Sequence, residues 1–396
     1  MRSRTMALLA GVLLVALSLG FLAGTTVGDR ARTGAAGDHP TPAEVSGPMN
    51  DFWRAYDLLN QDSYWAPLDK KKLIYAAING MLSGGTGDAH TTFLAPDDNA
   101  VAQTSLDGTL DGIGAYVDLT TQGIVLTPLK DSPAMRAGLR AKDVITHIDD
   151  VEVNGMSQTT AIKRLRGKAG TTVKLTVVRT GVAEPFRVLV TRGHITIPSV
   201  TGTMYGTIAY LRIVEFGSTA DTEVIKTLNG LLARHPRGLV VDLRDNPGGY
   251  VPVVVHIASQ FLAAGAPVMW EQKNDKTQTS LTAQAGGVVP MLPMAVLVNS
   301  GSASASEILA GALKDYHRAT VIGTQTFGKG SMQEDISFDD GAAARITIRL
   351  WRTPKQHLIQ GIGITPDVVV ASPTDPSQQG TPSDAPLNRA LTILRK

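Results

Sequence analysis

Two short segments carry residue types that could do chemistry together. Gly301-Ser302-Ala303-Ser304-Ala305-Ser306-Glu307 supplies a serine at an expected helix start. Thr326-Phe327-Gly328-Lys329-Gly330-Ser331-Met332-Gln333 supplies a lysine in a glycine-framed turn, with a glutamine just beyond it. A serine hydroxyl is a poor nucleophile until a base takes its proton, and a desolvated lysine amine can be that base. If the fold joins Ser304 to Lys329, the pair has the makings of a Ser–Lys hydrolase.

Each segment also has a plainer reading. Ser304-Ala305-Ser306-Glu307 is S-x-x-E, a capping box worth about 1 kcal/mol to a helix without any catalysis. Ser302 and Ser306 compete with Ser304 for any nucleophilic role. Lys329 has no acidic neighbour in sequence nearer than Glu334. Taken from water without a counter-charge it would titrate low, as a general base must; in isolation it reads equally as a surface lysine. Gln333 could hold that amine or be a surface amide. In Asp242-Leu243-Arg244-Asp245-Asn246-Pro247-Gly248-Gly249, an N–H of Gly248 or Gly249 could complete an oxyanion hole, or the glycines could merely permit a sharp turn.

These residues need elements to position them. Met294–Val298 and Gly238–Leu243 are apolar runs of the kind a strand shows when both its faces are covered. Ser304 follows the first of them, at the carboxyl end of a strand, where α/β sheets usually place reactive groups. The helix from Ser304 to Asp315 would turn its N-terminal amides toward any oxyanion formed there. Strands over Ile208–Val214, Thr320–Gly323 and Arg345–Leu350 and helices over Thr219–Arg234 and Val251–Ala263 complete an α/β pattern from residue 192 to 372. The tail, 373–396, is Pro/Ser/Gln-rich and loose up to Asp384, with a short helix over Leu387–Arg395.

Ahead of this core the pattern differs. Residues 31–48 read as a linker, and 49–100 as a helical module, with Phe52, Trp53, Tyr56, Leu59 and then Leu73, Ala77, Met81 at three- and four-residue steps. That module could support dimerisation or hold the membrane-proximal end, so a homo-oligomer is left open. Over 101–191 short strands alternate with turns around one helix, Ser157–Arg166.

Composition narrows the class. With 396 residues, 43% hydrophobic, the chain can build sizeable cores, and a formal charge of +2 with no basic stripe argues against a nucleic-acid surface. There is no cysteine, hence no disulfide or thiol nucleophile. The eight histidines show no metal-ligand spacing, and no cofactor or metal is expected. Arg2 and Arg4 precede an uncharged, Leu/Val/Ala-rich stretch from Met6 to Gly24. Its length predicts a signal anchor over residues 1–30 in preference to a cleaved signal peptide, giving a membrane-anchored chain with its catalytic part exported to the periplasm or extracellular space.

Several segments carry family resemblances. Gly112-Ile113-Gly114-Ala115, Ser132-Pro133-Ala134-Met135-Arg136-Ala137-Gly138-Leu139, Asp143-Val144-Ile145 and Val153-Asn154-Gly155 resemble a PDZ domain. Such a domain binds a peptide tail by offering loop N–H groups to its terminal carboxylate and a strand edge to its backbone. Asp242–Gly249, Asn299–Ile308, Thr326–Gln333, Gly361-Ile362-Gly363-Ile364-Thr365-Pro366-Asp367 and Gly87-Asp88-Ala89-His90 resemble the C-terminal processing peptidases (tail-specific proteases, family S41).

The resemblance implies an α/β fold with a crotonase/ClpP-like core, an inserted or preceding PDZ-like domain and an N-terminal helical module. It implies Ser304 as nucleophile, Lys329 as general base and Gln333 orienting the lysine. The Ala305 N–H and one from Gly248–Gly249 would form the oxyanion hole, and Gly112, Ile113, Gly114 and Ala115 the peptide-binding loop. The expected partners are protein or peptide substrates with free C-terminal tails. Ala89 replaces a common family proline, and Ala115-Tyr116 leaves the tail preference open. The rival readings are a catalytically silent PDZ scaffold, which would be expected to have lost Ser304 or Lys329, and an acyl-CoA enzyme sharing the core fold, against which the export segment counts.

Overall fold

The computed structural model describes residues 42–395 apart from 107–108, 121–122, 130, 157, 197, 290 and 374–377. The chain forms two compact units, one from residues 42–101, 200–216 and 220–395, the other from Ala102–Ser199 with Gly217–Thr219.

In the larger unit a six-stranded sheet runs in the order Val200–Tyr205, Ile208–Ile213, Gly238–Asp242, Met294–Val298, Thr320–Gly323, Val368–Val369. The first pair is antiparallel and the remaining pairs are parallel. Every residue of Gly238–Asp242 and Met294–Val298 is buried. The pleat sends alternate side chains to opposite faces. Leu239, Val241, Val296 and Val298 therefore enter one core with the helices Ala220–Leu232, Val251–Ala258 and Ala305–Asp315. Val240, Ala295 and Leu297 enter a second with Leu387, Ala390 and Leu391 of the last helix, Ala385–Leu394. This two-sided burial is why the sequence shows unbroken apolar runs.

A second, antiparallel sheet joins Thr92–Leu94, Ser331–Ser337, Ala343–Arg352, Pro267–Gln272 and Gln278–Thr282. Its first strand interrupts the helical module expected over 49–100: Thr92 pairs with Arg345, and Leu94 with Ala343. The helices before it, Ser46–Asp62 and Lys70–Asn79, contain no fully buried residue.

The smaller unit is a five-stranded antiparallel path, Ala115–Thr120, Gly123–Pro128, Asp143–Ile148, Thr172–Val178, Phe186–Thr191, with the helix Gln158–Leu165. Thr172–Val178 alternates strictly, burying Val173, Leu175 and Val177. The loop Gly112–Ala115 is fixed by the Ile113 and Gly114 carbonyls, which accept the N–H groups of Ala134 and Leu129. Gly114 has φ +71°, and a Cβ there would stand 2.6 Å from the Ser132 Cβ. A side chain is excluded at that turn.

The membrane expectation requires correction. A helical span needs about 18 to 20 consecutive apolar residues. Among the described residues no helix is long and apolar enough to cross a membrane. The longest, Ser46–Asp62, has 17 residues and carries Asp51, Arg54, Asp57 and Asp62. The stretch Met6–Gly24 lies outside the described residues. A membrane partner and a membrane-anchored location are therefore not upheld.

Candidate active site

Three buried serines stand side by side, and their hydroxyls have different fates. Ser302 Oγ donates to the Leu243 carbonyl at 2.8 Å, and Ser306 Oγ to the Asn246 carbonyl at 2.9 Å. Both tie the helix start to the loop leaving Gly238–Asp242. Ser304 Oγ is buried and, among the described residues, has no hydrogen-bond partner. The residue has φ +54° and ψ −115°, which is costly for a non-glycine residue and recurs at functional sites. Only the reciprocal arm of the expected capping box forms, from the Ser304 N–H to Glu307 Oε2 at 2.9 Å.

Glu307, read from sequence only as that cap partner, organises far more. Its Oε1 accepts the Thr326 hydroxyl at 2.5 Å and the Gly328 N–H at 2.7 Å, and its Oε2 also accepts the Lys329 N–H at 2.8 Å. One carboxylate oxygen therefore carries the main-chain amides of both Ser304 and Lys329. This brings together two segments that the sequence could not join. Burial pushes the Glu307 carboxyl above the usual range, against the pull of its four donors.

Lys329 is 3% exposed. Burial, reinforced by the Arg345 guanidinium, pulls its amine down to about 8, with Asp88, Glu307 and Asp335 pulling the other way. Arg345 is itself held by Asp335, with Nε to Oδ1 and a terminal nitrogen to Oδ2 each at 2.7 Å. The turn that carries Lys329 is clamped by residues 360–364: the Gly361 N–H donates to the Gly328 carbonyl, and a Cβ on Gly330 would lie 2.3 Å from the Gln360 nitrogen.

Ser304 Oγ being unpartnered, no hydrogen bond joins it to the Lys329 amine in this structure. Gln333 is fully buried and donates its amide to Ser331 Oγ and Thr347 Oγ1, each at 2.9 Å, and its own Oε1 is unpartnered, so no hydrogen bond joins Oε1 to Lys329.

The glycine pair lies against the serine. Gly248 has φ +110°, and a Cβ there would sit 2.7 Å from the Ser304 Cβ. At Gly249 (φ +144°) it would be 2.3 Å from the Phe216 carbonyl oxygen. The Gly248 N–H is engaged by Asn246 Oδ1 at 2.9 Å. The Gly249 N–H and that of Ala305, first in its helix and without an intrahelical acceptor, have no partner among the described residues.

This geometry lies within residues 207–370, which match peptidase family S41, while residues 124–179 match the PDZ domain. The chain is 37% identical over 317 residues to a carboxy-terminal-processing protease of Bartonella bacilliformis, covering 79% of this chain and 73% of that protein. It is 36% identical over 332 residues to a probable CtpA-like serine protease of Staphylococcus haemolyticus, covering 83% of this chain and 66% of the other. Among solved structures, a photosystem II D1 C-terminal processing protease aligns with a TM-score of 0.51 at 30% identity, covering 83% of this chain and 94% of its own. The chain belongs to peptidase family S41, as a carboxy-terminal-processing protease with a PDZ domain. It is accordingly a serine endopeptidase that recognises its substrates through that domain.

Proposed function

We propose that the endopeptidase works through a Ser304–Lys329 dyad. The observation that carries this is that, of three adjacent buried serines, Ser304 alone keeps its hydroxyl unbonded, on a strained backbone tied through Glu307 to a desolvated lysine. The neutral Lys329 amine takes the Ser304 proton as Oγ adds to the scissile carbonyl. Charge on the carbonyl oxygen falls to the N–H groups of Ala305 and Gly249, with Gly248 leaving room for the approach. Lys329 then gives its proton to the departing amine, forming the acyl-enzyme. Water, deprotonated by Lys329, then adds to the ester, and Lys329 returns that proton to Ser304 Oγ as the acyl C–O bond breaks and the product leaves. Gln333 Oε1 would steady the lysine in the engaged state.

Gly112, Ile113, Gly114 and Ala115 would meet the terminal carboxylate of the bound tail, with Ala115–Thr120 offering its edge to the peptide backbone. The largely parallel sheet, with the Ser304-led helix at its carboxyl edge, supports reading residues 192–372 as a crotonase/ClpP-like core; 49–100 is read as a mostly helical module and 101–191 as the PDZ-like domain.

Covalent trapping tests the assignment. A fluorophosphonate should label the protein on the peptide containing Ser304, with a rate that climbs as pH rises through about 8, where the Lys329 amine loses its proton. Labelling of Ser302 or Ser306 instead would overturn it. Gly248→Ala should lower kcat by about 10²-fold, because the new methyl meets the Ser304 Cβ where the carbonyl oxygen must settle. Steady-state kinetics beside a circular-dichroism melt check that the loss exceeds any unfolding.

A further inference from the structure

We propose that Asp88, acting through the Thr347 hydroxyl, is a positioning residue that fixes which way the Gln333 amide faces. The inference rests on the reading of Ser304, Lys329 and Gln333 as the catalytic group. It starts from Gly87-Asp88-Ala89-His90, a segment to which that reading gives no task.

The Asp88 carboxylate is held by three donors. Its Oδ1 accepts the His90 N–H at 3.0 Å, and its Oδ2 accepts the hydroxyls of Thr91 at 2.9 Å and Thr347 at 2.5 Å. Burial would raise its pKa, but the three hydrogen bonds outweigh it and hold the group below the usual range. Asp88 is therefore an ionised carboxylate, able only to accept.

That fact propagates. Thr347 has one hydroxyl proton, and Asp88 takes it. What Thr347 can offer its other neighbour is a lone pair, so the neighbour must be a donor. The neighbour is Gln333 Nε2, at 2.9 Å, whose second proton goes to Ser331 Oγ. A glutamine amide turned over is nearly the same shape, and packing alone distinguishes the two orientations poorly. Here the reversed amide would set Oε1 against an oxygen whose only proton is already committed. The buried Gln333 Oε1 is consequently left as an acceptor without a donor, and it faces away from Thr347. An unmet acceptor is what a lysine amine entering the engaged state requires; the reversed amide would present N–H groups to N–H groups.

Asp88 also reaches Lys329 electrostatically, since it helps the amine hold its proton. His90, beside it, is pushed down by burial and by Lys329. A merely structural reading of the cluster is available, because the Thr347 N–H donates to Thr91 Oγ1 and ties the segment to the second sheet. That tie does not use the Thr347 hydroxyl, so the two roles separate experimentally.

Thr347→Val keeps the β-branched shape in the strand and deletes only the relay. In the full chain, assayed on a fluorogenic unfolded protein substrate, it should lower kcat by about tenfold to hundredfold with KM within about twofold. Thr347→Ser should restore most of the rate. Asp88→Asn should fall similarly, and the double variant no further than the worse single one. Asp88→Asn should also shift the acid limb of kcat to lower pH, with Arg345, Glu307, Asp335 and His90 unchanged around Lys329, whereas Thr347→Val should leave the limb in place. Thermal melts accompany each variant, and Thr347→Ala stands in if the valine protein melts early. Full kcat in Thr347→Val, an equal loss in Thr347→Ser, or additive losses would overturn the relay. Activity surviving in Ser304→Ala would instead overturn the dyad; an inactive Ser304→Ala beside a fully active Thr347→Val would remove the relay alone.

Discussion

Replacing Lys329 by methionine is expected to cost nearly all peptidase activity and, at neutral pH, to make the protein more stable. Loss of a general base typically lowers the rate by about 10²–10⁴-fold, and Ser304→Ala, which removes the nucleophile, should cost at least as much. The double variant should be no worse than Ser304→Ala, because the two groups act in one step. Stability follows from linkage. The Lys329 amine titrates at about 8 in the folded chain against an ordinary 10.5. Below pH 8 both folded and unfolded chains carry the proton, and the folded chain bears the cost of a buried charge. Between pH 8 and 10.5 the unfolded chain binds more protons, so wild-type stability rises with pH and the penalty disappears. Lys329→Met should thus gain on the order of 3 kcal/mol at pH 7, a gain that fades toward pH 10.5. Urea unfolding of both proteins at pH 7 and pH 10 reads this directly. A methionine variant less stable at pH 7 would mean the amine is held by contacts that outweigh its desolvation.

The trade between activity and stability extends across the site. Ser304 sits at φ +54°, two polar atoms, Ser304 Oγ and Gln333 Oε1, are buried without hydrogen bonds, and the Lys329 amine is desolvated. Each is unfavourable for folding alone. The Glu307 carboxylate offsets part of this by fixing the two backbone segments.

How much of this the residues disclosed depends on the range of the forces involved. Gly238–Asp242 and Met294–Val298 were legible because burial on both faces writes itself into consecutive residues. The PDZ strands were legible through alternation, as in Thr172–Val178. Ser331–Ser337 was not, since a bulge between Met332 and Gln333 breaks the period and Ser331 and Gln333 are buried polar residues. Ser304 could be seen but not separated from a helix cap. The distinction lies in a backbone angle and in where Ser302 and Ser306 send their hydroxyls, to carbonyls some 60 residues away. The Asp88–Thr347 contact spans 259 residues, and no local pattern announces it. The region ending at Asp384 read as loose because its Pro, Ser and Gln content lacks a period, yet Gln379 donates to Asp245 and Asp384 is fully buried.

Asp384 gives the other large expected effect. Arg244 is completely buried at the end of the central strand, and its guanidinium is shared between two carboxylates. Nε contacts both oxygens of Asp242 at 3.0 and 3.1 Å, and the terminal nitrogens reach Asp384 Oδ1 and Oδ2 at 2.8 Å each. Tyr210 also donates its hydroxyl to Asp242. Asp384 meanwhile caps the last helix, accepting the Leu387 N–H, and accepts the Gly380 N–H. One side chain thus closes the end of the sheet, starts the helix that covers Val240, Ala295 and Leu297, and holds one side of a buried guanidinium. Removing it leaves Arg244 paired with Asp242 but takes the acceptors from two buried guanidinium N–H groups, a loss of about 2–3 kcal/mol, and a lost cap adds about 1. Asp384→Ala should therefore destabilise by roughly 3–4 kcal/mol. Asp384→Asn, which can still cap, should lose less. Burial would raise the Asp384 carboxyl, but Arg244 and the two N–H donors outweigh it and hold it below the ordinary range. Its contribution is then full above the unfolded carboxyl pKa and disappears as pH falls through the lower folded one. The wild-type advantage over Asp384→Asn should shrink in that acid window. Urea midpoints measured from pH 6 down to pH 3 test it, and a constant gap between the two proteins would show that the cap, not the charge, holds the helix in place.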